Sequence, residues 1–134
     1  MITATNLQKA YGNTTVLDIT ELTINKGDVL GLVGNNGAGK TTFFSLILDL
    51  IRASRGRVTI NQVPVEKSED WKAITGAYID ESFTIGYLTP DEYLGFIGEL
   101  RGMNANDIAA FVKDFEPFFN GEIIGKKKYI RDLS

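Results

Sequence analysis

The chain has 134 residues, enough for one modest domain, with 43% hydrophobic and 23% charged residues, as in an ordinary soluble globular protein. It contains no Cys and no His, which excludes disulfides, thiolate metal sites and imidazole catalysis within these residues. The net charge of −3 gives no electrostatic basis for binding nucleic acid, so we expect no nucleic-acid partner. Residues 1–10 lack the pattern of a signal peptide, and we expect a cytosolic protein.

Two strands are predicted at the beginning of the chain. The alternation in Ile2–Leu7 is typical of a strand, and Tyr11–Asn13 follows as a turn. Thr15–Ile24 is a second extended run, and Asn25–Asp28 is a second turn. Two strands joined by a short turn predict an antiparallel layer.

A glycine-rich segment follows between a predicted strand and a predicted helix. Val29–Val33 has the apolar character of a buried strand, and Thr42–Ile51 that of a helix buried between layers. Residues 34–41 match G-x-x-x-x-G-K-[ST], the phosphate-binding P-loop. The strand, turn and helix occur in the order that this motif requires.

The residue types of this segment suit a polyphosphate. Gly34, Gly37 and Gly39 allow backbone conformations that point N–H groups inward, while Lys40 supplies a mobile charge and Thr41 a hydroxyl for Mg2+. A glycine-rich turn that only caps a helix is the alternative. The predicted phosphate-binding set is Gly34, Asn35, Asn36, Gly37, Ala38, Gly39, Lys40, Thr41 and Thr42.

Shorter elements are predicted further along the chain. Arg57–Ile60 reads as a strand, Ser68–Trp71 as the capped start of a short helix, and Gly76–Asp80 as extended structure. Thr89 begins a helix, with Pro and Glu at favourable positions, that should run to Arg101 and stop at Gly102.

A further helix is predicted to begin near Asn104 or Asn106 and to end or kink at Pro117. Its apolar face would carry Ile108, Phe111, Val112 and Phe115. The basic run 126–128 is interpreted as a solvated turn.

With these elements in place, the chain resembles the N-terminal half of the ATP-binding subunit of an ABC transporter. The segments that carry the resemblance are Leu7–Gly12, Lys26–Thr42, Gly56–Asn61 and Leu88–Met103. It implies an α/β fold of the P-loop NTPase class, ABC type and truncated, with an antiparallel β layer and the start of a helical subdomain. Residues 1–88 would form the β layer and P-loop core, and residues 89–134 the helical part.

The resemblance also implies roles for residues outside the P-loop. Tyr11 is placed where the family stacks an aromatic ring on adenine, although a turn aromatic on a small core is the alternative. Glu81 stands where the family carries its Q-loop glutamine, so Thr41 and Glu81 are the candidate Mg2+ ligands, with a solvated loop carboxylate as the alternative for Glu81. ATP and Mg2+ are the implied cofactors.

The catalytic half of the family's domain is expected to lie beyond this chain. Leu133 and Ser134 resemble the first two residues of the signature sequence, which the Walker B aspartate and the catalytic glutamate would follow. We therefore expect these 134 residues to bind nucleotide weakly without significant hydrolysis. We also expect self-association through apolar surface left open at Val29–Val33 and on the P-loop helix.

The implied partners are transmembrane subunits and a second ATP-binding subunit, at the inner face of the cell membrane. The segment Tyr78–Thr89 and the helix after it are the candidate docking face, with Phe83, Ile85 and Tyr87 either exposed for a partner or packed in a core. Two other functions remain open: a soluble ABC-type ATPase acting on the ribosome or DNA, and an isolated nucleotide-binding module.

Overall fold

The computed structural model describes residues 1–133, apart from the side chain of Glu81. The described chain divides into two compact units, one spanning Met1–Ile79 and the other beginning at Asp80. The boundary predicted after residue 88 would fall inside the second of these units, and the domain organisation it implies stays a prediction.

The first unit contains a four-stranded antiparallel sheet. Its strands are β1 (Ile2–Tyr11), β2 (Thr14–Ile24), β3 (Arg55–Ile60) and β4 (Val63–Pro64), in the order β2-β1-β3-β4. The turn between β1 and β2 contains Gly12, whose φ of 57° is a conformation that glycine adopts without strain. The predicted antiparallel layer is confirmed.

The hairpin of β1 and β2 contains a bulge near its turn. Lys9 pairs with Leu17 and Ala10 pairs with Thr15, so Val16 is an extra residue on β2. An extra residue bends its strand and redirects the neighbouring backbone. The bulge brings the carbonyl of Val16 against the turn that precedes the first helix.

Helix α1 (Lys40–Ile47) packs its apolar face on the sheet. It ends earlier than the predicted Ile51, because Asp49 takes the left-handed conformation (φ 51°). Asp49 N–H then donates to Leu46 O and Leu50 N–H to Ser45 O, which satisfies the last carbonyls of the helix. The core between sheet and helix consists of Ala4, Leu7, Phe43, Leu46, Ile47, Val58, Ile60, Val65 and Trp71.

The strand predicted at Val29–Val33 is absent, and that prediction is wrong for the described chain. Residues 28–36 have no strand pairing with β1–β4, and the side chains of Val29 and Val33 are 99% and 91% exposed. An apolar run becomes a strand only when neighbouring strands accept and donate its backbone hydrogen bonds. Gly76–Asp80 likewise pairs with none of the described strands.

The short helix predicted at Ser68–Trp71 forms as a 3-10 helix, Asp70–Ile74. The Asp70 N–H donates to Ser68 Oγ at 3.1 Å, while the residue at the cap position, Glu69, makes no side-chain capping hydrogen bond. Trp71 is buried, and its Nε1–H donates to Val65 O at 3.2 Å.

The second unit contains three α-helices among the described residues: α2 (Pro90–Leu100), α3 (Ala105–Asp114) and α4 (Glu116–Phe119). The Thr89 hydroxyl accepts from Glu92 N–H, while the Glu92 carboxylate accepts from Thr89 N–H, which confirms the predicted capping box. Asn104 caps α3 in the same way. Pro117 lies in the first turn of α4, and α3 ends three residues before it.

None of the helices in residues 1–133 is long and apolar enough to cross a membrane.

Candidate functional site

The glycine-rich segment forms a tight loop that leads directly into α1. Gly37 and Gly39 have φ values of 85° and 86°, which side chains with a Cβ rarely adopt. The Ala38 N–H donates to Asn35 O at 3.1 Å and closes the turn. A Cβ on Gly39 would lie 2.6 Å from Val16 O, so the loop and the β2 bulge approach as closely as backbone permits.

The N-terminus of α1 presents unpaired backbone donors to this loop. The first hydrogen bond of the helix runs from Phe43 N–H to Gly39 O at 2.8 Å, so the N–H groups of the preceding residues, Lys40–Thr42, have no acceptor within the helix. Gly39 supplies no capping side chain, and the first turn holds no acidic residue. The positive end of the helix is therefore available to an anion.

The Lys40 side chain folds back over the loop. Its Nζ donates to Gly34 O at 2.5 Å and to Asn35 O at 2.8 Å. An ammonium group has three N–H donors, so these two bonds orient it and leave one for a ligand. The charge is thus held beside the α1 amides by contacts within the loop itself.

These groups surround a cavity of about 270 Å³ that suits a phosphate chain. The Thr41 side chain is exposed in the first helical turn, beside the half-buried Lys40. No carboxylate stands among the described lining residues, which are Val16, Asn36, Gly37, Gly39, Lys40, Thr41 and Thr42.

Among the described residues, no group of three or more Asp, Glu or His side chains is arranged to hold a metal ion. A metal at the loop would depend on the Thr41 hydroxyl and on oxygens of a bound phosphate, which are the hard oxygen ligands that Mg2+ prefers. The side chain of the predicted ligand Glu81, and the signature residue Ser134, fall outside the described part of the chain.

Tyr11 lies at the end of β1 and is 55% exposed. It pairs with Thr14, two residues before the Val16 that lines the cavity. A strand rise of about 3.3 Å per residue and a cross-strand distance of about 5 Å place the Tyr11 and Val16 backbones roughly 8–9 Å apart. The ribose and phosphates of a nucleotide can bridge that span.

The structure brings residues 34–42 together and places Tyr11 within the same unit. Two residues beside them had no predicted role, Val16 and Lys9. Nothing local in the sequence indicates that Val16 leaves the strand register, because a bulge depends on the pairing of two strands. The contact of Lys9 with the Arg52 carbonyl joins distant parts of the chain, so it too can be seen only in the tertiary structure.

The fold and the loop define a P-loop nucleotide-binding cassette, and comparison with known proteins narrows the class. Residues 17–116 match the family described as "ABC transporter". The chain belongs to the ABC transporter ATP-binding family. The resemblance in the sequence is confirmed, as is the P-loop NTPase fold of the ABC type.

Several curated relatives share this part of the domain. The tungstate uptake system ATP-binding protein TupC of Peptoclostridium acidaminophilum is 52% identical over 127 residues, covering 95% of this chain and 58% of TupC. The ABC transporter ATP-binding protein NatA of Bacillus subtilis is 32% identical over 126 residues, covering 89% of this chain and 51% of NatA.

Solved structures show the same fold. A dimeric ATP-binding cassette bound to ADP and Pi, in a post-hydrolysis state, superposes with a TM-score of 0.80 at 19% identity. The superposition covers all of this chain and 63% of the chain in that structure. The chain spans about half the length of the curated relatives it matches.

Proposed function

We propose that this chain is the phosphate-binding part of the ATP-binding subunit of an ABC transporter. The observation that carries the proposal is the loop around Lys40, where an ordered ammonium and unpaired helix amides face one cavity. These donors would bind the phosphates of ATP, with Mg2+ held by phosphate oxygens and the Thr41 hydroxyl. The predicted set 34–42 is assigned to this role.

The proposal is tested by calorimetric titration of the chain with ATP and Mg2+. A Lys40→Met variant should bind ATP at least about tenfold more weakly, because it loses a charge-assisted hydrogen bond to phosphate. The matched control is Lys67→Met, which removes an exposed lysine away from the cavity and should leave the affinity unchanged. Equal ATP affinity in the Lys40→Met variant and the unmodified chain would refute the phosphate site.

The transporter assignment, rather than a soluble ATPase, is supported by the relatives. NatA is described as an ABC transporter ATP-binding protein and TupC as part of a tungstate uptake system. We assign this chain the same class of role, coupling ATP binding and hydrolysis by the intact protein to transport. It would act with a second ATP-binding subunit, as the solved relative is dimeric.

The 134 residues alone should bind nucleotide without turning it over. Hydrolysis needs groups that orient water and neutralise developing charge, and the described cavity lining contains no carboxylate to do so. Phosphate release measured with ATP and Mg2+ should stay at the level of the Lys40→Met variant. Turnover that depends on Lys40 would contradict this.

A docking surface for the transmembrane subunits is proposed at the start of the second unit. Phe83 and Tyr87 are 54% and 68% exposed there, and Ile85 is partly buried. Such exposed aromatic side chains are typical of interface anchors, and docking would hold the protein at the inner face of the membrane. Copurification with the transmembrane subunits should be lost in Phe83→Ser/Tyr87→Ser, while ATP binding is retained.

Self-association of the chain is proposed from the exposed segment Val29–Val33. Apolar side chains that are exposed in a row, with backbone groups that pair with none of the described strands, favour pairing with a second copy. The chain should sediment above the monomer mass, and Val29→Lys/Val33→Lys should sediment as a monomer. The same added charge at the turns, in Asn13→Lys/Gln62→Lys, should change nothing.

A further inference from the structure

Lys9 makes two contacts that the phosphate site does not use. Its Nζ lies 4.7 Å from the centroid of the Tyr11 ring, and it donates to the carbonyl oxygen of Arg52 at 2.8 Å. Lys9 and Tyr11 are two residues apart on β1, so their side chains leave the same face of the strand. The lysine is half-buried while the tyrosine is exposed.

The segment that contains the Arg52 carbonyl is hydrogen-bonded to β1 through Ser54. Ser54 N–H donates to Gln8 O at 2.8 Å, and Ala10 N–H donates to Ser54 Oγ at 3.0 Å. The segment 52–54 therefore runs beside β1 as an extension of β3. The Arg52 carbonyl in this segment binds the Lys9 ammonium and holds it beside the Tyr11 ring.

A cation held over an aromatic face has two consequences for that ring. The attraction to the ring quadrupole restricts the rotation of an otherwise exposed side chain. The ammonium also occupies one face, so a planar ligand can stack only on the opposite face. Base stacking is strongest on a ring that is already oriented, because less rotational freedom is lost on binding.

We propose that Lys9 is the positioning residue for nucleotide-base binding: it orients the Tyr11 ring and leaves one face open for the base. This inference rests on the proposed function, in which ATP binds at the P-loop and its base reaches Tyr11. Lys9 touches neither phosphate nor base, and acts through the ring.

The test compares ATP with inorganic tripolyphosphate, which has phosphates and no base. Lys9→Met keeps the length of the side chain but removes the charge and the donor, and it should weaken ATP binding about two- to fivefold. Its tripolyphosphate affinity should equal that of the unmodified chain. Lys9→Arg keeps the cation and the donor and should restore the ATP affinity, and Lys67→Met is the matched control.

A double-variant cycle with Tyr11 separates positioning from a structural role. Tyr11→Ala should weaken ATP binding about fivefold or more through lost stacking, and adding Lys9→Met should weaken it no further. A loss of ATP and tripolyphosphate affinity by the same factor in Lys9→Met would overturn the proposal. An additive loss in the double variant, or unchanged ATP binding in Lys9→Met, would also overturn it.

The outcomes also distinguish this proposal from the proposed function. If Lys40→Met weakens tripolyphosphate binding but Tyr11→Ala leaves ATP binding intact, the phosphate site stands and base positioning by Lys9 is refuted. If Lys40→Met changes neither ligand, the phosphate site itself fails.

Discussion

Two glycines of the loop have nearly the same positive φ but different surroundings. Gly37 and Gly39 have φ values of 85° and 86°, so alanine at either position carries the same left-handed strain. A Cβ at Gly37 meets nothing within 4 Å, whereas a Cβ at Gly39 would lie 2.6 Å from Val16 O. The pair Gly37→Ala and Gly39→Ala therefore isolates the cost of the close approach.

The magnitude follows from adding the two effects. Left-handed backbone costs an alanine about 1–2 kcal/mol, and forcing a methyl group against packed structure adds about 1–3 kcal/mol. The first cost is common to both variants, and so is the loss of conformational entropy in the unfolded chain when glycine is replaced by alanine. Gly39→Ala should therefore be about 1–3 kcal/mol less stable than Gly37→Ala.

Thermal unfolding followed by circular dichroism measures this difference. At about 4 °C per kcal/mol for a chain of this size, Gly39→Ala should melt about 4–12 °C below Gly37→Ala. Melting temperatures within about 2 °C of each other would refute the reasoning, because the bulge and the loop would then separate at little cost.

Two further predictions concern side-chain hydrogen bonds. Hydrogen bonds from the Thr89 backbone N–H, and secondly from its hydroxyl, hold the pKa of Glu92 below its ordinary value of 4.5. The cap therefore stabilises α2 above pH 4.5, and this stabilisation is lost as the pH falls through the lowered pKa. Helical circular dichroism should decrease in that acid range, and it should decrease less in the Glu92→Gln variant. Trp71→Phe removes the buried donor to Val65 O and should lower the free energy of unfolding in urea by about 1–3 kcal/mol, and an unchanged value would show that this bond contributes nothing.

The elements predicted correctly are those whose signals are local. The capping box of α2 joins residues three apart, and Gly102, with φ 74°, lies where a glycine stop was expected. The first hairpin depends on a turn at Gly12 and on strand-forming residues next to it. In each case the interacting groups lie within a few residues, so the pattern contains the physical cause.

The two errors have different causes: one element depends on distant partners, and the other ends at a local change of backbone conformation. Val29–Val33 has the composition of a strand, but strand formation needs hydrogen bonds from other strands. The helix α1 ends at Ile47 because Asp49 takes a conformation more usual for glycine, and the predicted helix continued through it.

By itself, the sequence determined the chemistry of the loop: three glycines, one lysine and one threonine at fixed spacing are a local property of the chain. Only the tertiary structure decided what surrounds it. The Val16 carbonyl lies against Gly39 because Val16 is the extra residue of the bulge in the hairpin. Lys9 contacts Arg52 because β3 pairs with β1. These contacts join residues more than 20 positions apart, and only folding brings such residues together.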